Sequence, residues 1–161
     1  MPKPLVVFDC VIFVQALIKK SGPAARCLEL FERESLFSLA VSRETLSELR
    51  DVLSRSELRQ EFSLITDEKV SQLIDLLLFK GNLFRNVPRR IRFPRDAADE
   101  AYLNLAIATG ATFLVTRDND LLDLMRWNTE ESRDFQQRFR HLKILDPTSF
   151  LREITPKRVM I

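Results

Sequence analysis

The sequence predicts an α/β fold with a mainly parallel central sheet. Four short apolar runs, at 5–8, 36–41, 112–115 and 142–145, have the composition of strands that are covered on both faces. Segments with apolar residues at helical spacing lie between these runs, and no internal repeat or low-complexity stretch interrupts the pattern. Strands that alternate with helices in this way are typical of a parallel sheet with helical crossovers.

The predicted elements have recognisable boundaries. Ser42 is a good N-cap, Thr66 or Asp67 is another, and Gly81 and Gly110 each end a helix. The predicted strands are 5–8, 36–41, 83–87, 112–115 and 142–145, and the predicted helices are 11–20, 24–34, 43–54, 68–80, 96–109, 120–126 and 147–153. The polar stretches that follow residues 54 and 126 carry no further predicted element. Residues 1–154 are expected to form one domain, with a short tail at 155–161.

Composition excludes several functional classes. With only three glycines, the chain can build neither a dinucleotide-binding loop nor a phosphate-binding loop of the usual spacing. The single histidine, His141, argues against most histidine metal sites and against a catalytic triad. No apolar run approaches the length of a membrane span, no secretory signal is recognisable, and two cysteines make no disulfide framework. We therefore expect a cytoplasmic protein without membrane contact.

Acidic residues are concentrated where strands are predicted to give way to helices. Because ligands bind at the carboxyl ends of parallel strands, acids at these junctions are expected to meet at one edge of the sheet. Clustered carboxylates repel one another unless a cation lies between them, and Mg²⁺ and Mn²⁺ prefer such oxygen ligands. One or two such ions can support phosphodiester hydrolysis. The acids concerned are Asp9, Glu44, Glu48, Asp96, Asp99, Asp118 and Asp120.

Most of these acids also have an ordinary structural explanation. Asp96 can cap the helix at 96–109, with Asp99 favourable to its dipole, and Asp118 or Asp120 can cap the next helix. Glu44 and Glu48 share one face of a helix, where acids are commonly solvated. Asp9 is the exception, because a carboxylate directly after a four-residue buried strand seldom serves packing.

The chain resembles the PIN domain, a nuclease fold found in many prokaryotic toxins of toxin–antitoxin systems, the VapC-like ribonucleases. The likeness extends from about residue 5 to residue 151. Its most specific parts are the first strand, Leu-Val-Val-Phe-Asp ending at Asp9, and the segment Leu-Val-Thr-Arg-Asp-Asn-Asp-Leu at 114–121. The family's glutamate after the second strand matches Glu48, with Glu44 as the nearby alternative. Its third acid matches Asp99 by spacing to the Gly-Ala turn at 110–111.

The resemblance implies an α/β/α sandwich that binds Mg²⁺ or Mn²⁺ and cleaves single-stranded RNA. It also implies an antitoxin-like protein partner and a homodimer. The implied catalytic acids are Asp9, Glu48, Asp99 and Asp118. The implied metal ligands are Asp9, Asp99, Asp118 and Asp120, with Glu44 and Asp96 as auxiliary acids.

The sequence departs from the family at one place. The family usually has threonine or serine and then asparagine after the first aspartate, whereas this chain has Cys10 and Val11. Neither side chain is a good ligand for a hard cation. This departure supports an alternative hypothesis, a catalytically weak PIN-fold module that binds RNA or an antitoxin-like protein without cleaving.

Arginines supply the candidate RNA contacts. Five arginines and no acid occur in the segment 85–95, which is predicted to be a surface loop. Guanidinium groups in such a loop can follow a phosphate backbone, although a solvated loop or a contact for an acidic partner peptide is an equally simple interpretation. The candidate residues are Arg89, Arg90, Arg92, Arg95 and Arg117.

Overall fold

A five-stranded sheet organises the described part of the chain, which comprises residues 3–93, 97–126 and 128–156 of a computed structural model. Every pair of neighbouring strands is parallel, and the strand order is β3-β2-β1-β4-β5. The strands are β1 (Leu5–Phe8), β2 (Ser38–Ser42), β3 (Asn82–Phe84), β4 (Phe113–Val115) and β5 (Lys143–Leu145). The predicted parallel α/β fold is confirmed.

Helices connect the strands throughout the described residues. They are α1 (Cys10–Ile18), α2 (Pro23–Glu29), α3 (Arg43–Leu53), α4 (Ser56–Glu61), α5 (Asp67–Lys80), α6 (Ala97–Thr109), α7 (Asn119–Leu122), α8 (Glu130–Arg138) and α9 (Pro147–Ile154). A π-helical turn at Leu30–Glu34 extends α2, and a 3₁₀ turn at Asp123–Met125 extends α7. None of the helices described is long and apolar enough to cross a membrane.

Local chemistry explains several helix boundaries. The Ser42 hydroxyl accepts a hydrogen bond from the Thr45 amide at 3.1 Å, and the Thr45 hydroxyl accepts one from the Ser42 amide at 2.9 Å, so the pair forms a capping box at the start of α3. Thr66, rather than Asp67, caps α5. Gly110 follows α6 with a φ of +67°, a left-handed conformation that glycine adopts readily.

Helices α4 and α8 lie in polar stretches for which the sequence predicts no helix or strand. Helix α4 buries none of its side chains, and α8 buries only Ser132 and Phe135. Because prediction depended on an apolar stripe at helical spacing, helices without such a stripe were missed. Strand β3 is also shorter than the predicted 83–87, and the proposed tail at 155–161 falls largely outside the described residues.

Helices cover both faces of the sheet, giving the α/β/α sandwich. On one face, Phe150 of α9 packs against Phe37, Phe113 and Phe8, with ring centroids 5.2, 5.4 and 6.0 Å away respectively. Helix α6 packs against β1, β2 and β4, and also contacts α3. Burial of these apolar surfaces supplies the main driving force for folding.

The strand order creates one switch point. The chain proceeds from β1 outward through β2 to β3, and then crosses to the opposite side of β1 to form β4 and β5. Connections therefore leave the carboxyl ends of β1 and β4 in opposite directions, which opens a crevice between them. Asp9 follows β1 directly, and the segment 116–118 follows β4.

Candidate active site at the carboxyl edge of the sheet

Asp9 lies at the switch point, directly after β1, and is bonded to the end of β4. Its amide donates to the Val115 carbonyl at 3.0 Å, which continues the pairing of β1 with β4. Its Oδ1 atom accepts from the Val11 amide at 3.4 Å and caps α1. Only 6% of Asp9 is exposed, so the sequence has placed a carboxylate inside the edge of the sheet.

Thr116 joins the two candidate acids of the switch point. Its hydroxyl donates to Asp9 Oδ2 at 2.6 Å and accepts from the Asp118 amide at 3.0 Å. Because Thr116 is completely buried, both bonds are shielded from water. The sequence analysis did not single out Thr116, although it stands in the Leu-Val-Thr segment that carried the resemblance.

Asp118 is both a helix cap and a neighbour of Asp9. Its Oδ1 atom accepts from the Asp120 amide at 2.8 Å, so the structural explanation offered for Asp118 is correct as far as the cap is concerned. Its negative charge also acts on Asp9. Capping and proximity to a second carboxylate therefore occur in the same residue.

The environment of Asp9 opposes its ionisation. Burial is the largest cause and raises the pKa of the Asp9 carboxyl, and the charge of Asp118 raises it further. Hydrogen bonds from Thr116 and from the Val11 amide act in the opposite direction. A cation at this position would favour the ionised form and would relieve the repulsion between the two carboxylates.

A second group of buried polar side chains adjoins Asp9. The Tyr102 hydroxyl and the Cys10 thiol lie close enough to affect each other's pKa, and the charges of Glu48 and Asp9 act on both groups. Burial, followed by the charge of Glu48, raises the pKa of the Cys10 thiol to about 12. Burial likewise raises the pKa of Tyr102. Both groups are therefore neutral at physiological pH.

The two glutamates of α3 differ in placement. Glu48 is half-buried and close enough to affect Cys10 and Tyr102, whereas Glu44 is exposed. Tyr102 was not predicted as a site residue. The available signal was its spacing, since it lies three residues after Asp99 and so shares a helical face with it.

Asp99 and Asp120 lie in the first turns of α6 and α7. Asp99, in the first turn of α6, is 5% exposed, and Asp120 is half-buried in α7. Asp96 lies outside the described residues. Within residues 3–93, 97–126 and 128–156, no three His, Cys, Asp or Glu side chains are grouped closely enough to hold a metal ion.

The donor chemistry nevertheless suits a hard divalent cation. Mg²⁺ keeps several of its waters and is commonly bound through one or two carboxylates, so a closed cage of protein ligands is not required. Asp9 and Asp118 are two such carboxylates on adjacent strand ends, and they interact electrostatically. The wider ligand set of Asp9, Asp99, Asp118 and Asp120 stays a prediction.

The predicted RNA-contacting arginines occupy different surroundings. Arg89 forms an ion pair with Glu100, with Nε 2.9 Å from Oε2, while Arg90 and Arg92 are exposed. Arg117 is exposed and lines a groove of about 410 Å³ together with Gln15, Lys19 and Phe62. Arg95 lies outside the described residues. Their contacts with RNA stay predictions.

Comparison with known proteins identifies the family. A family model described as PIN domain matches residues 5–120, which is most of the chain and includes all four predicted catalytic acids. The chain belongs to the PIN domain family. The predicted resemblance is thereby confirmed, and Asp9 and Asp118 lie at the carboxyl edge of a PIN-domain sheet.

One solved structure supports the fold independently. It is the crystal structure of VapBC2 from Rickettsia felis bound to a DNA fragment from their promoter, in which the matched chain gives a TM-score of 0.53 at 17% sequence identity. The alignment covers 88% of this PIN-domain protein and 98% of that chain. At this identity the likeness establishes a shared fold. No curated protein matches the sequence.

Proposed function

We propose that this PIN-domain protein is a metal-dependent endoribonuclease that hydrolyses phosphodiester bonds of single-stranded RNA, as the toxin of a toxin–antitoxin pair. The observation that carries the proposal is the hydrogen-bonded sequence Asp9–Thr116–Asp118 across the switch point. Two interacting carboxylates at the carboxyl ends of adjacent parallel strands are suited to a cation and a phosphate.

Each residue of the site has a proposed role that its placement supports. Asp9 and Asp118 would hold Mg²⁺ or Mn²⁺, and Asp99 and Asp120 would bind the same ion directly or through water. When bound, the ion supplies an activated water and neutralises charge on the phosphate. Thr116 keeps Asp9 oriented by donating to Oδ2.

Glu48 is proposed to act at the side of the site nearest Cys10. Its half-buried carboxylate lies within electrostatic range of the Cys10 and Tyr102 groups, which are themselves neutral. From there it can orient a water molecule towards the phosphorus or accept its proton. Glu44, being exposed, and Asp96 are assigned auxiliary roles in attracting the ion.

RNA cleavage in the presence of Mn²⁺ tests the proposal. Asp118→Asn should lose more activity than the roughly 10- to 100-fold that removal of an outer-shell partner costs. Because asparagine is as good an N-cap as aspartate, α7 should remain folded in this variant. Asp134→Asn, which changes an exposed acid of α8, is the matched control and should retain wild-type activity.

Two results would contradict this assignment. Equal cleavage rates for the wild type and Asp118→Asn would remove Asp118 from the site. Cleavage that persists in EDTA would remove the divalent cation from the reaction.

A second candidate function is a PIN-fold module that binds RNA or an antitoxin-like protein without cleaving. The observation that favours it is Cys10-Val11, because the neutral Cys10 thiol is a poor ligand for a hard cation. The double substitution Cys10→Thr with Val11→Asn restores the usual pair of the family. Strong cleavage by the double variant and none by the wild type would establish a binder, whereas cleavage by both would reject this second function.

The proposal extends to assembly and location. An antitoxin-like protein and a second copy of the chain are the expected partners, and the cytoplasm is the expected compartment. Light scattering of the purified protein should give the mass of a dimer, and a monomeric mass at micromolar concentration would reject the homodimer.

A further inference from the structure

Helix α6 holds the segment that precedes it by an unusually complete set of hydrogen bonds. Asn104 Oδ1 accepts from the Arg90 and Ile91 amides at 2.8 and 2.9 Å. Its Nδ2 donates to the Ile91 carbonyl at 3.0 Å and to the Glu100 carbonyl at 3.1 Å. A buried asparagine therefore satisfies three main-chain groups of a segment that has no secondary structure of its own.

Glu100 provides a second attachment one helical turn earlier. Its Oε1 atom accepts from the Phe93 amide at 2.9 Å and from Arg89 Nη2 at 3.2 Å, while Oε2 pairs with Arg89 Nε at 2.9 Å. The hydrogen bond from Arg89 is the main cause that lowers the pKa of the Glu100 carboxyl, so this group is ionised at neutral pH. We call Glu100 and Asn104 the clamp, and residues 85–93 the arginine strap.

Beyond Arg85, which is exposed at its start, the strap carries two further cations that the clamp leaves in solvent. Ile91 is half-buried and Phe93 is buried, so apolar side chains anchor the strap from beneath. Arg90 and Arg92 alternate with them and are exposed. Arg89, in contrast, is engaged by Glu100. The strap is thus an ordered segment that presents Arg90 and Arg92 to solvent.

The position of the strap relates these arginines to the proposed active site. Glu100 directly follows Asp99, so the clamp begins in the same helical turn that carries a proposed catalytic acid. Arg92 is close enough to Glu100 for its charge to lower the pKa of that carboxyl. The strap therefore lies along the end of α6 that faces the carboxyl edge of the sheet.

We infer that Arg90 and Arg92 form a binding surface for the phosphate backbone of single-stranded RNA, positioned by the Glu100–Asn104 clamp. The inference rests on the proposed function, since it assigns the substrate contacts of the same site. Guanidinium groups bind phosphate oxygens in a bidentate manner. Because the strap is already ordered, little conformational entropy is lost when RNA binds.

RNA is favoured over an acidic protein segment by the surroundings of the strap. The strap runs beside the first two turns of α6, with Arg90 next to Asn104 and Phe93 next to Glu100, and so borders the edge where an RNA strand would enter the proposed phosphodiesterase site. The net charge of the whole chain is only +2, so binding has to depend on local groups of this kind and not on a general positive field.

The test compares two double variants that remove the same charge. Arg90→Gln with Arg92→Gln removes the proposed contacts, and Arg133→Gln with Arg140→Gln removes two exposed arginines elsewhere. Binding of a short, labelled single-stranded RNA is measured by fluorescence anisotropy in EDTA over a series of salt concentrations. The first pair should weaken binding and reduce the slope of log K against log salt by about 1.4, at about 0.7 for each lost phosphate contact. The control pair should leave the slope unchanged.

The outcomes separate this inference from the function on which it rests. A slope unaltered in Arg90→Gln with Arg92→Gln, or no RNA binding by the wild type, overturns the inference whether or not RNA is cleaved. A polyglutamate peptide serves as a second probe, and a loss of binding confined to that peptide assigns the strap to an acidic protein partner instead. If the wild type binds RNA through the strap but does not cut it with Mn²⁺, the binding surface stands and the nuclease proposal fails.

Discussion

Replacement of Asn104 by leucine should reveal how strongly the clamp stabilises the protein. Leucine has nearly the same shape but none of the donors and acceptors. The Glu100 carbonyl lies within α6 and keeps its main-chain hydrogen bond in the helix, so loss of the Asn104 Nδ2 bond to it should change the free energy of unfolding little. The Arg90 and Ile91 amides and the Ile91 carbonyl lose their side-chain partner. At about 1 kcal/mol for each net hydrogen bond, the free energy of unfolding should fall by about 3 kcal/mol.

This value is an upper figure, because the strap can detach and take its hydrogen bonds from water. Urea unfolding measures the change, with Asn86→Leu as the control, since Asn86 is exposed on the same strap. The control should stay within about 0.5 kcal/mol of the wild type. A loss below about 1 kcal/mol for Asn104→Leu, or an equal loss in the control, would refute the clamp. The same variant should also weaken RNA binding, because Asn104 positions Arg90 without facing the phosphate.

Three further substitutions test individual contacts. Burial raises the pKa of the Asp9 carboxyl, so Asp9 stabilises the fold in acid, and this contribution is lost as the pH rises through the folded-state pKa. In the absence of metal, Asp9→Asn should therefore unfold at a higher urea concentration than the wild type at neutral pH. This difference should disappear in acid. Tyr102→Phe removes a buried hydroxyl that interacts with Cys10 and should lower the free energy of unfolding by about 1 kcal/mol, whereas an unchanged value would show that this interaction adds nothing to stability. Gly110→Ala meets no neighbouring atom but must adopt a φ of +67°, so thermal unfolding should show a loss of about 1 kcal/mol, and an unaltered melting temperature would refute the strain.

Sequence patterns located the parts of the fold that depend on local chemistry. Strand β1 and its following acid, the Ser42 cap and the Gly110 turn were all predictable, because each depends on residues within a few positions of one another. Helices α4 and α8 were not, since neither presents a continuous apolar face. Helix α4 buries no side chain and α8 buries two, and each contacts the element next to it in the chain, so neither shows the apolar spacing from which a helix is predicted.

The candidate site shows the same division. Asp9 and Asp118 could be placed at strand ends on one edge of the sheet from the sequence, but Thr116 could not be identified as their link, because its bond to Asp9 joins residues 107 positions apart. The run of five arginines at 85–95 was visible in the sequence, yet only the hydrogen bonds to Asn104 and Glu100 distinguish an ordered strap from a solvated loop. Hydrogen bonds between segments that are distant in the sequence therefore decide between interpretations that composition alone could not separate.

The central claim is that the carboxyl edge of this PIN domain holds a divalent cation. A crystal soaked in Mn²⁺, with data collected at the manganese absorption edge, tests that claim most directly. The proposal predicts an anomalous peak in contact with Asp9 and Asp118 and beside Asp99, and its disappearance in Asp9→Asn. No peak at this edge in a fully soaked crystal, or a peak that persists in Asp9→Asn, would contradict the proposed metal site.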